Sequence, residues 1–365
     1  MSSSTVRFDR SVRARLTVPL LAVLFVAATH LLLERSARFA ERNLSAFLWK
    51  QQGQLQLFSA HNYVGRGRGR LLILGPSEAR EALLPDEFRT QLQGLEPYQN
   101  SQSIGTLEST LIMLEYIERA YGPSAIPEAI LLGITPRYVA NIRHGRSPLY
   151  MAINNYSPHF SVEDEDTSPR LVPRSTGESL RARMALLSLE PDRYRRGLFA
   201  IGTRLATSVM PSLAAERAVW SPVREAKYLT GRIESEETIR TWLTDPKGVA
   251  AAVRAWDAGA DRRSTDVFRR FMDFTERYGV RLYVVNLPQL SWSRDLDSPD
   301  RYAAYLTLVR DAIGDTPFLD LRTFVPDDGF YDSLHVTWRE GRRVSRRVGM
   351  FVAGDRGVHL TRAVE

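Results

Sequence analysis

Residues 267–288 read VFRRFMDFTERYGVRLYVVNLP. The first thirteen have the pattern of an amphipathic helix ending on Gly279, and 280–288 is the strongest strand pattern in the chain. A helix that feeds directly into a buried strand suits a parallel sheet, whose neighbouring strands need a crossover element between them. Working outward, the alternation recurs. LLIL at 71–74 is a strand candidate, followed by the turn residues Gly75, Pro76 and Ser77 and by the helix-like EAREALL. Between 106 and 121, Leu107, Leu111, Leu114, Ile117 and Tyr121 stand at helical spacing, and AILLGI at 129–134 is the next buried-strand candidate. A last strand is expected around Pro317 to Leu321 and a last helix from about Arg339 to Phe351. The pattern predicts an α/β domain over 70–352, a parallel sheet with helices on both faces, with 353–365 as a tail.

Within that domain, 140–262 lacks strong strand patterns and holds acidic and Pro-rich pieces such as EDED at 163–166, with helical candidates at 177–189 and 193–209. It reads as an insertion or cap on the sheet. A chain of 365 residues with 44% hydrophobic content has room for a sizeable core, which excludes a disordered or fibrous protein. The net charge is +7, with 49 Lys+Arg of which only Lys50, Lys227 and Lys247 are lysines. Arginines are interleaved with acids, as in Arg181, Arg183, Glu190, Asp192 and Arg193, rather than gathered into a stripe, so no nucleic-acid partner is expected. The chain has no cysteine, which removes disulfides, thiolate zinc sites and cysteine nucleophiles.

Residues 16–33, LTVPLLAVLFVAATHLLL, carry no formal charge. As a helix they would extend about 27 Å, close to the hydrocarbon thickness of a bilayer. Arg7, Arg10, Arg13 and Arg15 precede the run, and Glu34, Arg35 and Arg38 follow it. A cleaved signal peptide would have a shorter apolar region ending at a small-residue site, and a core helix would show a polar face. The expectation is therefore an uncleaved transmembrane anchor with a short cytoplasmic segment at 1–15. The basic residues on the two sides nearly balance, so charge alone leaves the orientation open. Residues 34–69 read as a stalk, helical over much of Glu34 to Gln56. The GRGRGR run at 65–70 reads as a flexible turn ahead of a strand more simply than as an RNA-binding tract.

In an open parallel sheet, chemistry collects beyond the carboxyl ends of the strands. Ser77 falls there, at the start of a helix whose amides would face the same crevice. Serine also caps helices, and nothing in this segment alone separates the two roles; Arg80 in the third following position leaves a reciprocal capping box incomplete. Near the other end, FYDSLHVTWREGRR at 330–343 places Asp332 three residues before His335, just ahead of the last helix. An aspartate so spaced can hold the imidazole Nδ1–H and leave Nε2 to take a serine proton, or the segment is an ordinary Asp-Ser turn. Of the other histidines, His30 lies in the apolar run, His61 in the stalk, His144 and His159 in the insertion, and His359 in the tail, with Asp355 four residues before it.

These two blocks, LLILGPSEAR and FYDSLHVTWREGRR, occur in this order near opposite ends of the predicted sheet. The chain resembles the SGNH/GDSL hydrolase family, within it the membrane-anchored DltD-like and alginate O-acetyltransferase-like branch, over roughly residues 70–352. The resemblance implies a flavodoxin-like sheet, Ser77 as nucleophile, His335 as general base and acid, and Asp332 as its orienting partner. It implies an oxyanion hole from the amides of Ser77 and of Gly105 in NSQSIGTLES, although Gly105 serves equally well as a turn residue before a helix. The family's oxyanion Asn is missing from ILLGITPRYVAN. Thr135 stands where Asn is usual and Asn141 lies too far along, so either Thr135 substitutes or the hole has two donors.

The resemblance further implies a single-pass inner-membrane protein with a periplasmic catalytic domain. It would place or remove O-acetyl groups on an extracellular polysaccharide, using an acyl donor and a hydroxyl acceptor beside a multi-span membrane acyltransferase. A general esterase or lipase of the same fold would share every catalytic residue, and a non-catalytic anchored scaffold is the alternative of a different class. No H-E-x-x-H, phosphate-binding or dinucleotide fingerprint is present, so neither metal nor cofactor is expected.

Overall fold

A computed structural model of the chain describes residues 10–42, 69–102, 105–140, 147–165, 168–187, 261–295 and 297–355, with single positions at 194, 198, 237, 238 and 241. The strands, in chain order, are β1 (Arg70–Leu74), β2 (Glu96–Gln99), β3 (Ala129–Ile134), β4 (Phe160–Glu165), β5 (Ser168–Pro173), β6 (Arg281–Asn286) and β7 (Phe318–Asp320). Five of these form one sheet in the order β2-β1-β3-β6-β7, with every neighbouring pair parallel. Counted along the chain, this is the 2-1-3-4-5 succession of doubly wound flavodoxin-like sheets. The order reverses between β1 and β3, and the crevice beyond their carboxyl ends is where such folds bind ligands.

The strands read as continuous apolar runs because both faces of the sheet are covered. Leu72 and Leu74 of β1, Ile130, Leu132 and Ile134 of β3, and Leu282 and Val284 of β6 pack on one face with the helices Leu107–Tyr121, Asp261–Arg277 and Pro299–Ile313. The alternate residues, Leu71, Ile73, Ala129, Leu131, Tyr283 and Val285, pack on the other with the helices Ser77–Ala82, Pro85–Gln91 and Trp338–Asp355. Since successive side chains point to opposite faces, one apolar run supplies two cores. The expected α/β fold with a parallel sheet and helices on both sides is thus observed.

Two elements differ from expectation. β2, sequence EPYQ, has no apolar run, yet it pairs with β1 along Arg70–Ile73 and sends Tyr98 into the core. The antiparallel pair β4–β5 lies inside 140–262, where no strong strand is expected. Only one face of this ribbon is covered, so single apolar residues suffice, and Val162 and Leu171, directly opposite each other, are buried. The helix expected at 177–189 is observed at 176–187, and the one at 193–209 lies outside the described residues apart from single positions.

The apolar run 16–33 is part of a helix, Arg10–Arg42, on which Leu20, Leu21, Val23, Leu24, Phe25, Val26, Leu31 and Leu32 are all exposed. Among the described residues no helix is long and apolar enough to cross a membrane, so the fold does not show the expected span.

Two devices set the C-terminal segment against the helix that follows β1, and a third closes the β1 turn on β3. Ser345 Oγ accepts from Leu84 N at 2.8 Å and donates to Ala82 O at 2.9 Å, fixing the register of the last helix on the end of the helix Ser77–Ala82. Gly341 allows the approach, because a Cβ there would strike the Glu81 carbonyl. Gly75 has φ +142°, and a Cβ on it would lie 2.5 Å from the Gly133 carbonyl, so the turn after β1 passes the end of β3 with no room for a side chain.

Candidate active site

Ser77 opens a helix, but Pro76 occupies the capping position and no side-chain cap is made, so the plain helix-cap reading of Ser77 does not hold. The first intrahelical donor is Ala79, which leaves the Ser77 amide uncommitted to the helix. The Ser77 hydroxyl lies 2.8 Å from His335 Nε2. On the far side of the ring, Nδ1 lies 2.8 Å from Asp332 Oδ2 and 3.0 Å from Oδ1. Residues 258 positions apart in sequence therefore form a continuous serine, histidine, aspartate relay.

The loop carrying Asp332 and His335 is rigid for identifiable reasons. Its stems, Phe330 and Val336, form a β-bridge and are buried in the core. Tyr331 N donates to His335 O at 3.0 Å and Thr337 N to Gly329 O at 2.8 Å, closing the loop on itself. Asp332 Oδ1 also accepts from the amides of Leu334 and His335, at 2.9 and 2.7 Å, so the carboxylate is fixed by its own loop before it holds the imidazole. The Tyr331 ring stacks on His335 with centroids 5.6 Å apart and planes 14° from parallel. The spacing of three matters because it lets one carboxylate reach both the backbone of the turn and the ring.

Beside the relay stand two buried carboxylates that the motif reading does not include. Glu78 Oε2 accepts from Ser77 Oγ at 3.0 Å, and Glu78 Oε1 accepts from Arg137 at 3.2 Å. Glu81 is paired with Arg80 at 3.2 Å. Burial pushes both carboxyls up. For Glu78 the Arg137 guanidinium and His335 outweigh it and hold the group below the ordinary range, whereas Glu81 stays raised because Arg80 offsets its burial only in part. Asp332 is lowered, since His335 and the two loop amides outweigh its burial.

Gly105 lies in the loop after β2, which is tied to the nucleophile turn by Gln102 N donating to Gly75 O at 2.7 Å. Its own amide donates to Gln102 O at 3.3 Å, a turn contact that an oxyanion role would have to replace. Thr135 caps the helix Pro136–Val139, its hydroxyl oxygen accepting from Tyr138 N at 3.3 Å. A hydroxyl that accepts in this way keeps its proton for another partner. Asn141 lies outside the described residues.

Glu78, Thr135 and Arg137 line a cleft that runs from the relay, at Ser333 and Leu334, along the carboxyl ends of β3 and β6 to Gln289, Asp297, Arg301 and Tyr302. Its exposed walls are more apolar than polar, with Pro136, Pro288 and Leu290 standing beside the charged and hydroxyl side chains. Among the described residues no group of acidic and histidine side chains is placed to hold a metal ion. The arrangement can deprotonate a hydroxyl that is itself nearly buried, Ser77 being 7% exposed, next to a cleft able to hold a small molecule. No family model matches the chain, and no curated protein is similar enough to it to stand as a relative.

Proposed function

We propose that the protein is a membrane-anchored serine acyl-transfer enzyme of the SGNH/GDSL type, an O-acetyltransferase or O-acetylesterase acting on an extracellular or cell-envelope polysaccharide. The observation that carries this reading is the relay Ser77–His335–Asp332 at the crevice of a doubly wound sheet. In the reaction, His335 Nε2 takes the Ser77 proton as Oγ attacks the acyl carbonyl carbon, and Asp332 stabilises the imidazolium through Nδ1–H. The Ser77 amide and the Thr135 hydroxyl, with the Gly105 amide once released from its turn, hold the oxyanion; each such donor is worth about 10²- to 10³-fold in rate. Collapse expels the first alcohol, which leaves with the proton from Nε2. An acceptor hydroxyl, or water, then gives its proton to His335 and attacks the acyl-serine, and Ser77 departs with that proton. The charged and hydroxyl side chains in the cleft, Arg137, Asp297, Arg301 and Tyr302, support a hydroxyl-bearing acceptor.

The uncharged apolar run of the sequence at 16–33 is the basis for the anchor, and the resemblance alone puts the sheet domain on the periplasmic side of an inner membrane. One span cannot move an acyl group across a bilayer, so the donor side falls to a multi-span membrane acyltransferase partner. The reading is tested by hydrolysis of p-nitrophenyl acetate by the full chain in detergent, with and without an oligosaccharide acceptor. Activity that is lost in Ser77→Ala, and product O-acetylated on sugar, is the expected result. A folded wild type with no turnover of the ester would contradict it.

A further inference from the structure

Ser77 carries one hydroxyl proton, yet its Oγ lies within hydrogen-bond distance of two groups, Glu78 Oε2 at 3.0 Å and His335 Nε2 at 2.8 Å. Glu78 is 5% exposed and its second oxygen is held by Arg137. An ionised carboxylate has no proton to give, so the hydrogen between Ser77 and Glu78 is the serine's own. With the serine proton on that side, the contact with His335 is made by a proton on Nε2. Nδ1 faces the Asp332 oxygens, which also only accept, so it too is protonated. With both ring nitrogens donating, the ring is an imidazolium and cannot act as a base.

Resting on the acyl-transfer reading above, we propose that Glu78 is a positioning residue that holds the nucleophile in a resting form, with the Ser77 hydroxyl turned to the Glu78 carboxylate and His335 doubly protonated. Activation is the loss of the Nε2 proton to solvent and a turn of the Ser77 O–H from Glu78 Oε2 to Nε2. No bond between heavy atoms forms or breaks.

The charges around His335 agree. Asp332 comes from its own loop, while Glu78 and Glu81 come from the helix Ser77–Ala82, the latter paired with Arg80. Arg137 comes from the helix Pro136–Val139 and is paired with Glu78. On the last helix, Glu340 is paired with Arg343. Burial pulls His335 down, but Asp332 above all, then Glu78 and Glu81, carry it above the ordinary imidazole range. The sign follows directly. Below its raised pKa the ring keeps the Nε2 proton and Ser77 is silent; reactivity rises as pH climbs through a midpoint above about 6.5. In Glu78→Gln one negative charge is gone and the amide can donate to Ser77 Oγ, which frees the serine proton for His335, so the midpoint falls.

The test is the rate of fluorophosphonate labelling of the full chain in detergent, from about pH 5 to about pH 9, for wild type and Glu78→Gln. The acidic midpoint of the variant is expected to lie about one pH unit or more below that of the wild type, giving about tenfold faster labelling near pH 6 relative to its own plateau. Coincident midpoints overturn the proposal while leaving the acyl-transfer reading intact. A wild type that does not label at any pH overturns that reading, and the proposal with it. A measurement independent of how Glu78→Gln folds is the ¹⁵N histidine spectrum of the wild type near pH 6.5, with His335 assigned by its loss in His335→Asn. Two protonated ring nitrogens are expected, and a single one overturns the resting form.

Discussion

Two polar clusters sit at the carboxyl ends of this sheet, and they are built on opposite principles. At the ends of β6 and β7, Asn286 donates to Tyr302 OH at 2.7 Å and to Asp320 at 2.8 Å, and accepts from Tyr305 OH at 3.0 Å. Tyr302 OH donates to Asp320 at 2.9 Å, and Arg322, stacked 3.6 Å over the Tyr302 ring, reaches Gln289 and Asp297. In this network each polar group has a partner of the right kind, which rigidifies the wall of the cleft. At the ends of β1 and β3, by contrast, one serine oxygen stands between a carboxylate and an imidazole, and the histidine is flanked by Asp332, Glu78 and Glu81. A cluster with one possible arrangement of protons is scaffold, whereas a cluster whose serine proton has two places to go is where a proton can move.

The contrast is broken most strongly at the relay. Asp332→Asn removes the group that fixes the imidazole tautomer and is expected to lower turnover by about 10⁴-fold with little loss of Tm, read from kcat and a thermal melt. An equal fall in stability and activity would mean that the loop, not the proton path, had been damaged. Thr135→Val keeps the volume but removes the hydroxyl, and turnover is expected to fall about 10²-fold if Thr135 supplies an oxyanion donor. An unchanged kcat would leave the hole with the amides alone. The smallest effect sharpens the other side. Asn286→Leu removes the acceptor of Tyr305 OH and one donor each from Tyr302 OH and Asp320, and is expected to cost about 2 kcal/mol of stability, a Tm shift of roughly 5 °C, with kcat within about threefold of wild type. A large loss of kcat without a change in Tm would show that this wall also touches the reaction.

How much of this the amino-acid order carries depends on burial and on distance along the chain. β1, β3 and β6 are legible because a strand covered on both faces must be apolar throughout, whereas β2 is short, lies at the edge and contributes mainly Tyr98 to the core. Ser77, Asp332 and His335 stand out because a turn after a strand and a carboxylate three residues before a histidine are local patterns. Glu78 and Arg137 are not legible in this way. Each looks like an ordinary charge in the first turn of a helix, and they become partners only because β1 and β3 are adjacent with Leu74 opposite Leu132, which brings the two helix starts together. Thr135 stands out only through a resemblance, and its capping bond to Tyr138 follows from a helix too short to give a periodic signal.

The central claim is that Ser77, activated by His335, is the nucleophile. Its most direct test is to treat the folded full chain with a fluorophosphonate above the His335 midpoint and to map the adduct by peptide mass. The account predicts a single stoichiometric adduct on the peptide containing Ser77, absent in Ser77→Ala and strongly slowed in His335→Ala. An unmodified Ser77 in a folded protein, or an adduct on another serine that persists in Ser77→Ala, would contradict it.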